Sequence, residues 1–278
     1  MQGVFDVLPG IFPAMEVNIM ANIRIEAHRG VGTDAPENTL PAFEAAVTQG
    51  YDMIELDLKF TADDRCVVLH DHSVGRTGRR PDGAPAENRK IAELTFDEAR
   101  ALDYGLWKNE SFRGTQIPLF ADVLAFAKNA GIPLKIDNCY ELFTPERREL
   151  LYRLIEEADM GNLVGFTCGN VTSFAEVAER FPEAEFHYDG VIDEANIASL
   201  KAVSDGHRTT VWIPFPCETT SWVSDKIRRA SKEYADELHT LGFEVGIWLL
   251  RRDEELAAAV EYGADIIETD GAIKPLKP

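Results

Sequence analysis

Apolar residues follow two alternating rhythms along this chain. Short, nearly continuous apolar runs read as buried strands, and longer stretches with apolar residues every three or four positions read as amphipathic helices. A first strand is expected over 22–28. The helix over 38–50 carries Leu40, Phe43, Ala46 and Val47 on one face and stops at Gly50. Residues 51–60 read as the second strand and 66–70 as a short extended piece. Helices over 120–130, 145–158, 171–180, 194–202, 222–241 and 253–262 then alternate with strands over 132–138, 162–167, 184–188, 209–214, 243–250 and 264–268. Strands alternating with helices imply a parallel sheet, and eight such units imply a single closed (β/α)8 TIM barrel. An open doubly wound sheet would more often carry a glycine-rich phosphate fingerprint, and neither GxGxxG nor GxxxxGK[ST] occurs.

Residues 72–116 break the rhythm. They are polar, rich in glycine and proline and locally basic, with one helical segment over 95–102, so they are expected to form a small insertion after the second strand. Residues 1–22 are expected to be an N-terminal arm ahead of a single domain over 23–278.

The 278 residues are 45% hydrophobic and 27% charged, an ordinary globular composition. With 28 Lys and Arg against 48 Asp and Glu, the formal net charge is −20. That opposes nonspecific binding to nucleic acid or anionic lipid. A small anionic ligand stays admissible where a metal ion or an arginine reverses the local field. Cys66, Cys139, Cys168 and Cys217 are scattered and form no CxxC pair, which argues against a disulfide framework or a cysteine zinc site and for a reducing compartment. No apolar run reaches the ~18 residues of a membrane span. The N-terminus has no basic residue before Arg24, so a cytoplasmic location is expected.

Barrel chemistry sits at the C-terminal ends of the strands, and ionisable residues collect there. Strand one ends in Glu26-Ala27-His28-Arg29, strand two in Glu55-Leu56-Asp57, the piece after it in His70-Asp71-His72, strand three in Lys135-Ile136-Asp137 and strand eight in Glu268-Thr269-Asp270. An ExD pair on a strand is most often a solvated face. Here the period-two alternation sends Leu56, Leu58 and Ile136 toward the helices and the polar set toward the barrel axis. Glu55, Asp57 and Asp137 then form an all-oxygen site suited to one Mg²⁺ or Ca²⁺ ion. His28 and His70 lie at the same mouth, fit for proton transfer near neutrality. Trp248, near the end of strand seven, serves either as barrel core or as a platform for substrate.

The stretch AHRGVGTDAPENTLPAFEAAVTQGYDMIELDLKFTADDRCVVLHD strongly resembles the glycerophosphodiester phosphodiesterase family. The matching pieces are His28-Arg29-Gly30, Pro36-Glu37-Asn38-Thr39, Glu55-Leu56-Asp57, Thr61-Ala62-Asp63 and His70-Asp71, in order. Arg76-Thr77, the strand bearing Trp248 and the closing GADIIETDG are also similar. The resemblance implies a barrel with an insertion after its second strand and metal-dependent hydrolysis of glycerophosphodiesters to glycerol 3-phosphate and an alcohol. It places the family's two histidines at His28 and His70 and its metal carboxylates at Glu55, Asp57 and Asp137. Arg29 and the metal would neutralise the phosphate.

Two departures stand out. The third carboxylate, usually glutamate, is Asp137, and the lysine usually two residues beyond it is Cys139. Lys135, on the same face, is expected to contact substrate in place of that lysine; alternatively it neutralises Glu26 or Glu268 deeper in the barrel. A phosphodiesterase for another small sugar diester, or a barrel that binds phosphodiesters without cleaving them, remain the competing functions.

Overall fold

Eight parallel strands close on themselves in this computed structural model, which describes residues 23–137 and 140–275. They are β1 (Arg24–Ala27), β2 (Met53–Phe60), β4 (Leu134–Asp137), β5 (Val164–Cys168), β6 (Phe186–Tyr188), β7 (Thr209–Pro214), β8 (Glu244–Trp248) and β9 (Ile266–Thr269). Pairing runs β1-β9-β8-β7-β6-β5-β4-β2, and β1 pairs with β2 to shut the ring. The short β3 (Cys66–Val68) lies antiparallel on β2, with Leu58 opposite Val68. Each of the eight parallel strands falls where the hydrophobic rhythm puts one. The expected arm over 1–22 lies outside the described residues, as does Cys139.

The helices form the outer ring. They are α1 (Leu40–Gln49), α3 (Phe120–Ala130), α4 (Pro145–Glu157), α5 (Val171–Arg180), α6 (Ile197–Ser204), α7 (Lys232–Thr240) and α8 (Asp253–Tyr262). Gly50 ends α1 as expected, at φ +80°. One expectation fails: 222–241 is not a single helix. Ser231 caps α7 by accepting from the Tyr234 amide, and the Ala230 amide donates back to Pro214 in β7. That tertiary bond uses the chain before residue 231 as a loop, although its composition tolerates a helix.

The segment between β3 and α3 forms the insertion expected after the second strand. It contains a short helix α2 (Phe96–Arg100), capped at Thr95 by a reciprocal capping box with Glu98. Val74, Ile91, Leu94, Ala99 and Tyr104 pack with Val67 and Leu69 into a small core separate from that of the barrel. This second core is why a polar, glycine- and proline-rich stretch still holds one shape, tied to the loop after β1 by the bond from Lys108 Nζ to the Gly32 carbonyl.

Inside the barrel, small and large residues alternate. A Cβ at Gly165 would meet Nε2 of His187 at 2.6 Å, and one at Gly246 would meet the Trp212 ring at 2.6 Å. The two glycines make room for this buried pair, in which Trp212 Nε1 donates to His187 Nδ1 at 3.0 Å. Burial holds His187 well below the usual histidine range, so it stays neutral and its Nδ1 accepts. At the opposite end, Arg24 bridges Glu185 at 2.8 Å and Glu244 at 2.6 Å, and Arg208 meets the same two carboxylates at 2.6 and 2.8 Å. The bottom is thus closed by charge pairing, and the top is left for chemistry.

Candidate active site

Strand register brings the acidic residues together. Asp57 on β2 pairs with Asp137 on β4, and Glu55 with Lys135. Glu55, Asp57 and Asp137 each offer a carboxylate oxygen within 4.8 Å of the others. Burial and repulsion from Asp57 and Asp137 push the Glu55 carboxyl well above its usual range. Burial raises Asp137 to about 7, against the pull of Lys135 and with added repulsion from Asp189. Oε1 of Glu55 is buried without a hydrogen-bond partner. Three crowded carboxylates with an orphaned oxygen are poorly satisfied by protein alone, and they match the oxygen donors that a hard divalent cation prefers.

This triad is held from outside by the Asn38 side chain and the Arg29 backbone. Asn38 Nδ2 donates to Asp57 Oδ2 at 2.8 Å, and the Arg29 amide donates to Glu55 Oε2 at 2.7 Å. Arg29 and Asn38 both occupy the left-handed region, at φ +56° and +55°. Non-glycine residues adopt it at a cost, and such strain gathers at functional sites. At Arg29 the turn aims both the amide and the guanidinium at the acidic cluster, with Nε 3.5 Å from Asp57 Oδ2.

A chain of alternating charges leads from Arg29 to His70. Arg29 Nη1 lies 3.0 Å from Glu37 Oε1, which also accepts from Arg76 Nη2 at 2.7 Å. Arg76 Nε donates to Asp71 Oδ2 at 2.7 Å, and Asp71 Oδ1 lies 2.7 Å from His70 Nδ1. Burial works to raise the Asp71 carboxyl, but the hydrogen bonds from Arg76 and His70 outweigh it and hold it at about 2. At Glu37 burial is likewise outweighed, there by Arg76 and Arg29, which leave it below its usual range. His70 is therefore backed by a carboxylate at Nδ1, leaving Nε2 for other work. His28 is different: burial lowers its pKa more than Glu268 raises it, so it is predominantly neutral at pH 7.

His28, Arg29, His70, Lys135, Asp137 and Trp248 all line one cavity of about 570 Å³ at the C-terminal ends of the strands. Asp137 connects this cavity to Glu55 and Asp57, with which it clusters. Lys135 is 2% exposed, with Nζ 2.6 Å from Glu26 and 2.8 Å from Glu268 and 3.8 Å from the centre of the Trp212 ring. Burial opposes its charge, but the two glutamates outweigh burial and raise its pKa. The alternative offered for Lys135, neutralising Glu26 and Glu268, is what its contacts show, and this engagement limits the freedom with which its ammonium could reach a substrate. Glu26 is driven up by burial, whereas Lys135 and His28 outweigh burial at Glu268 and keep it low. One carboxylate and one ammonium thus balance at the buried wall of the cavity.

Asp189 and Trp222, to which no sequence pattern pointed, line the same cavity. Asp189 follows a strand too short to show a clear period, and Trp222 falls in the stretch read as helix.

Among known proteins, the Glycerophosphoryl diester phosphodiesterase family profile matches residues 28–272. YhdW of Bacillus subtilis is 30% identical over 250 residues, covering 88% of this chain and 93% of its own. A Caldanaerobacter subterraneus protein named glycerophosphodiester phosphodiesterase is 26% identical over 249 residues, covering 88% and 92%. In fold, a crystal structure from Silicibacter pomeroyi superposes with a TM-score of 0.73 at 20% identity, over 92% of this chain and 91% of that one. A phosphodiesterase from Oleispira antarctica, solved with sn-glycerol-3-phosphate, gives 0.67 at 20% identity over 90% and 93%.

Proposed function

The chain belongs to the glycerophosphoryl diester phosphodiesterase family, and on that premise we propose that it hydrolyses small glycerophosphodiesters to glycerol 3-phosphate and an alcohol, using one divalent cation and an acid–base pair of histidines. The observation that carries this reading is the joining of the Glu55, Asp57 and Asp137 cluster to a cavity lined by both His28 and His70.

Glu55, Asp57 and Asp137 would hold Mg²⁺ or Ca²⁺, which when bound offsets phosphate charge and favours the anionic transition state. Arg29, anchored by Glu37 and Asp57, presents a guanidinium to the phosphate oxygens from a fixed direction. His28, neutral through burial, is assigned the base: it takes the proton of the attacking oxygen, either the substrate's glycerol hydroxyl or water. His70 is assigned the acid. Asp71 fixes its tautomer and stabilises the imidazolium that delivers a proton from Nε2 to the leaving alkoxide. Trp248 is assigned to the substrate wall. For Lys135 the contacts support a structural ion pair beneath the site, ahead of direct substrate contact.

The described residues contain no helix long and apolar enough to cross a membrane. A cytoplasmic location belongs to the same proposal and rests on the scattered cysteines. A panel of glycerophosphodiesters, assayed with Mg²⁺ and with Ca²⁺, tests the reading; absence of turnover on every diester with both metals refutes it.

A further inference from the structure

The cavity has two unlike walls. His28, Arg29 and His70 stand on one side, at the ends of β1 and of the segment after β3. The other side is built at the ends of β6, β7 and β8 from Asp189, the loop carrying Trp222, and Trp248. Trp222 is 76% exposed, an unusual state for the largest apolar side chain. Its ring centre lies 6.0 Å from that of Trp248, with planes tilted by 46°. Two indoles at that tilt do not stack flat on each other.

We infer that the Trp222–Trp248 corner, with the Asp189 carboxylate in the same wall, is a subsite selecting a cationic ammonium head group on the alcohol side of the diester. The inference rests on the phosphodiesterase reading of this cavity and deepens it. Indole faces carry negative potential and attract alkylammonium ions, most strongly where several rings converge. Deeper in the same cavity an indole already receives an ammonium, with Lys135 Nζ 3.8 Å above the Trp212 ring. Arg251 also lines this wall, but its Nε is bound to Asp270 at 2.9 Å, so its charge is offset locally. The chain's net charge of −20 adds a long-range bias toward cations. Val223, Ile227 and Leu249 complete the wall with apolar surface. An acyl chain would suit that surface but gain nothing from Asp189.

The decisive comparison is glycerophosphocholine against its uncharged carbon isostere, the 3,3-dimethylbutyl ester of glycerol 3-phosphate. The two differ in charge at nearly constant shape. The expected result is a kcat/KM at least about fivefold higher for the choline ester, carried by KM, as a two-ring cation site should give. Trp222→Leu, which keeps apolar bulk and removes the π face, should bring the ratio close to one, and Asp189→Asn should lower it. Equal kinetics for the two esters in the wild type would overturn the inference and leave an apolar subsite, as would a ratio that survives Trp222→Leu. Calorimetric binding of the same two ligands in the presence of chelator needs no turnover. Equal binding there overturns the inference even if no diester is cleaved, whereas preferential binding of the choline ester without turnover sustains the cation site and refutes the catalytic reading.

Discussion

Oδ1 of Asp71 lies 2.7 Å from Nδ1 of His70, and the other end of the same carboxylate is gripped by Arg76. A histidine backed in this way has its tautomer and ring plane fixed, and its cation is stabilised when formed. Asp71→Asn keeps the shape and removes the charge. It should lower kcat about 100-fold, the usual scale for a general acid, with KM little changed. Steady-state kinetics and a melting curve on one preparation separate this from unfolding. A kcat within threefold of wild type would show that Asp71 does not assist His70.

His28 gives a prediction in pH. Burial lowers its pKa below the ordinary value of 6.5, and the base must be neutral to act. Activity should therefore fall as pH drops through a value below 6.5. His28→Ala should remove this acidic limb and cost at least ~100-fold in kcat. An acidic limb centred above 6.5 in the wild type would contradict the assignment.

Asn38 fixes Asp57 through a buried hydrogen bond of 2.8 Å, so its part in metal binding is indirect. Partners of this kind typically contribute about 10–100-fold in metal affinity or activity. Asn38→Ala should raise the Mg²⁺ concentration needed for half-maximal activity by that factor, and Asp57→Asn should raise it further. An unchanged metal midpoint in Asn38→Ala would leave that hydrogen bond without a functional role.

Beneath the site, Lys135 stands between Glu26 and Glu268. Removing one partner of a buried charge cluster costs about 3–5 kcal/mol. Lys135→Met should destabilise on that scale, and adding Glu268→Gln should restore part of the loss. Unchanged melting with abolished turnover would instead assign Lys135 to the substrate. Glu26 has a sign of its own. Its folded pKa is raised by burial, so its favourable contribution is complete below the unfolded value of about 4.5 and is lost as pH climbs toward the folded value. Glu26→Gln removes that loss, so its melting temperature relative to wild type should rise with pH above 4.5; a constant offset would contradict the shift.

The barrel and the acidic triad were legible because each follows from a period. Eight apolar runs mark eight strands, and period-two alternation puts Glu55 with Asp57 and Lys135 with Asp137 on the axis. The supporting contacts were not legible, since they join residues that no local pattern relates. Glu37 and Arg76 stand 39 positions apart and meet through the folded insertion. Asn38 reaches Asp57 through a left-handed turn that a non-glycine residue does not advertise. The loop holding Trp222 read as helix because the backbone bond from Ala230 to Pro214, which prevents one, is tertiary.

The central claim is that this cavity cleaves a glycerophosphodiester with the help of a cation held by Glu55, Asp57 and Asp137. Phosphorus NMR of glycerophosphocholine incubated with protein stripped of metal, then supplied with Mg²⁺ or Ca²⁺, tests it most directly. No change in the diester resonance is expected until metal is added, followed by growth of the glycerol 3-phosphate signal, which the His28→Ala and His70→Ala variants should lack. Release of glycerol 3-phosphate at full rate after exhaustive chelation, or a diester signal unchanged under every condition, would contradict it.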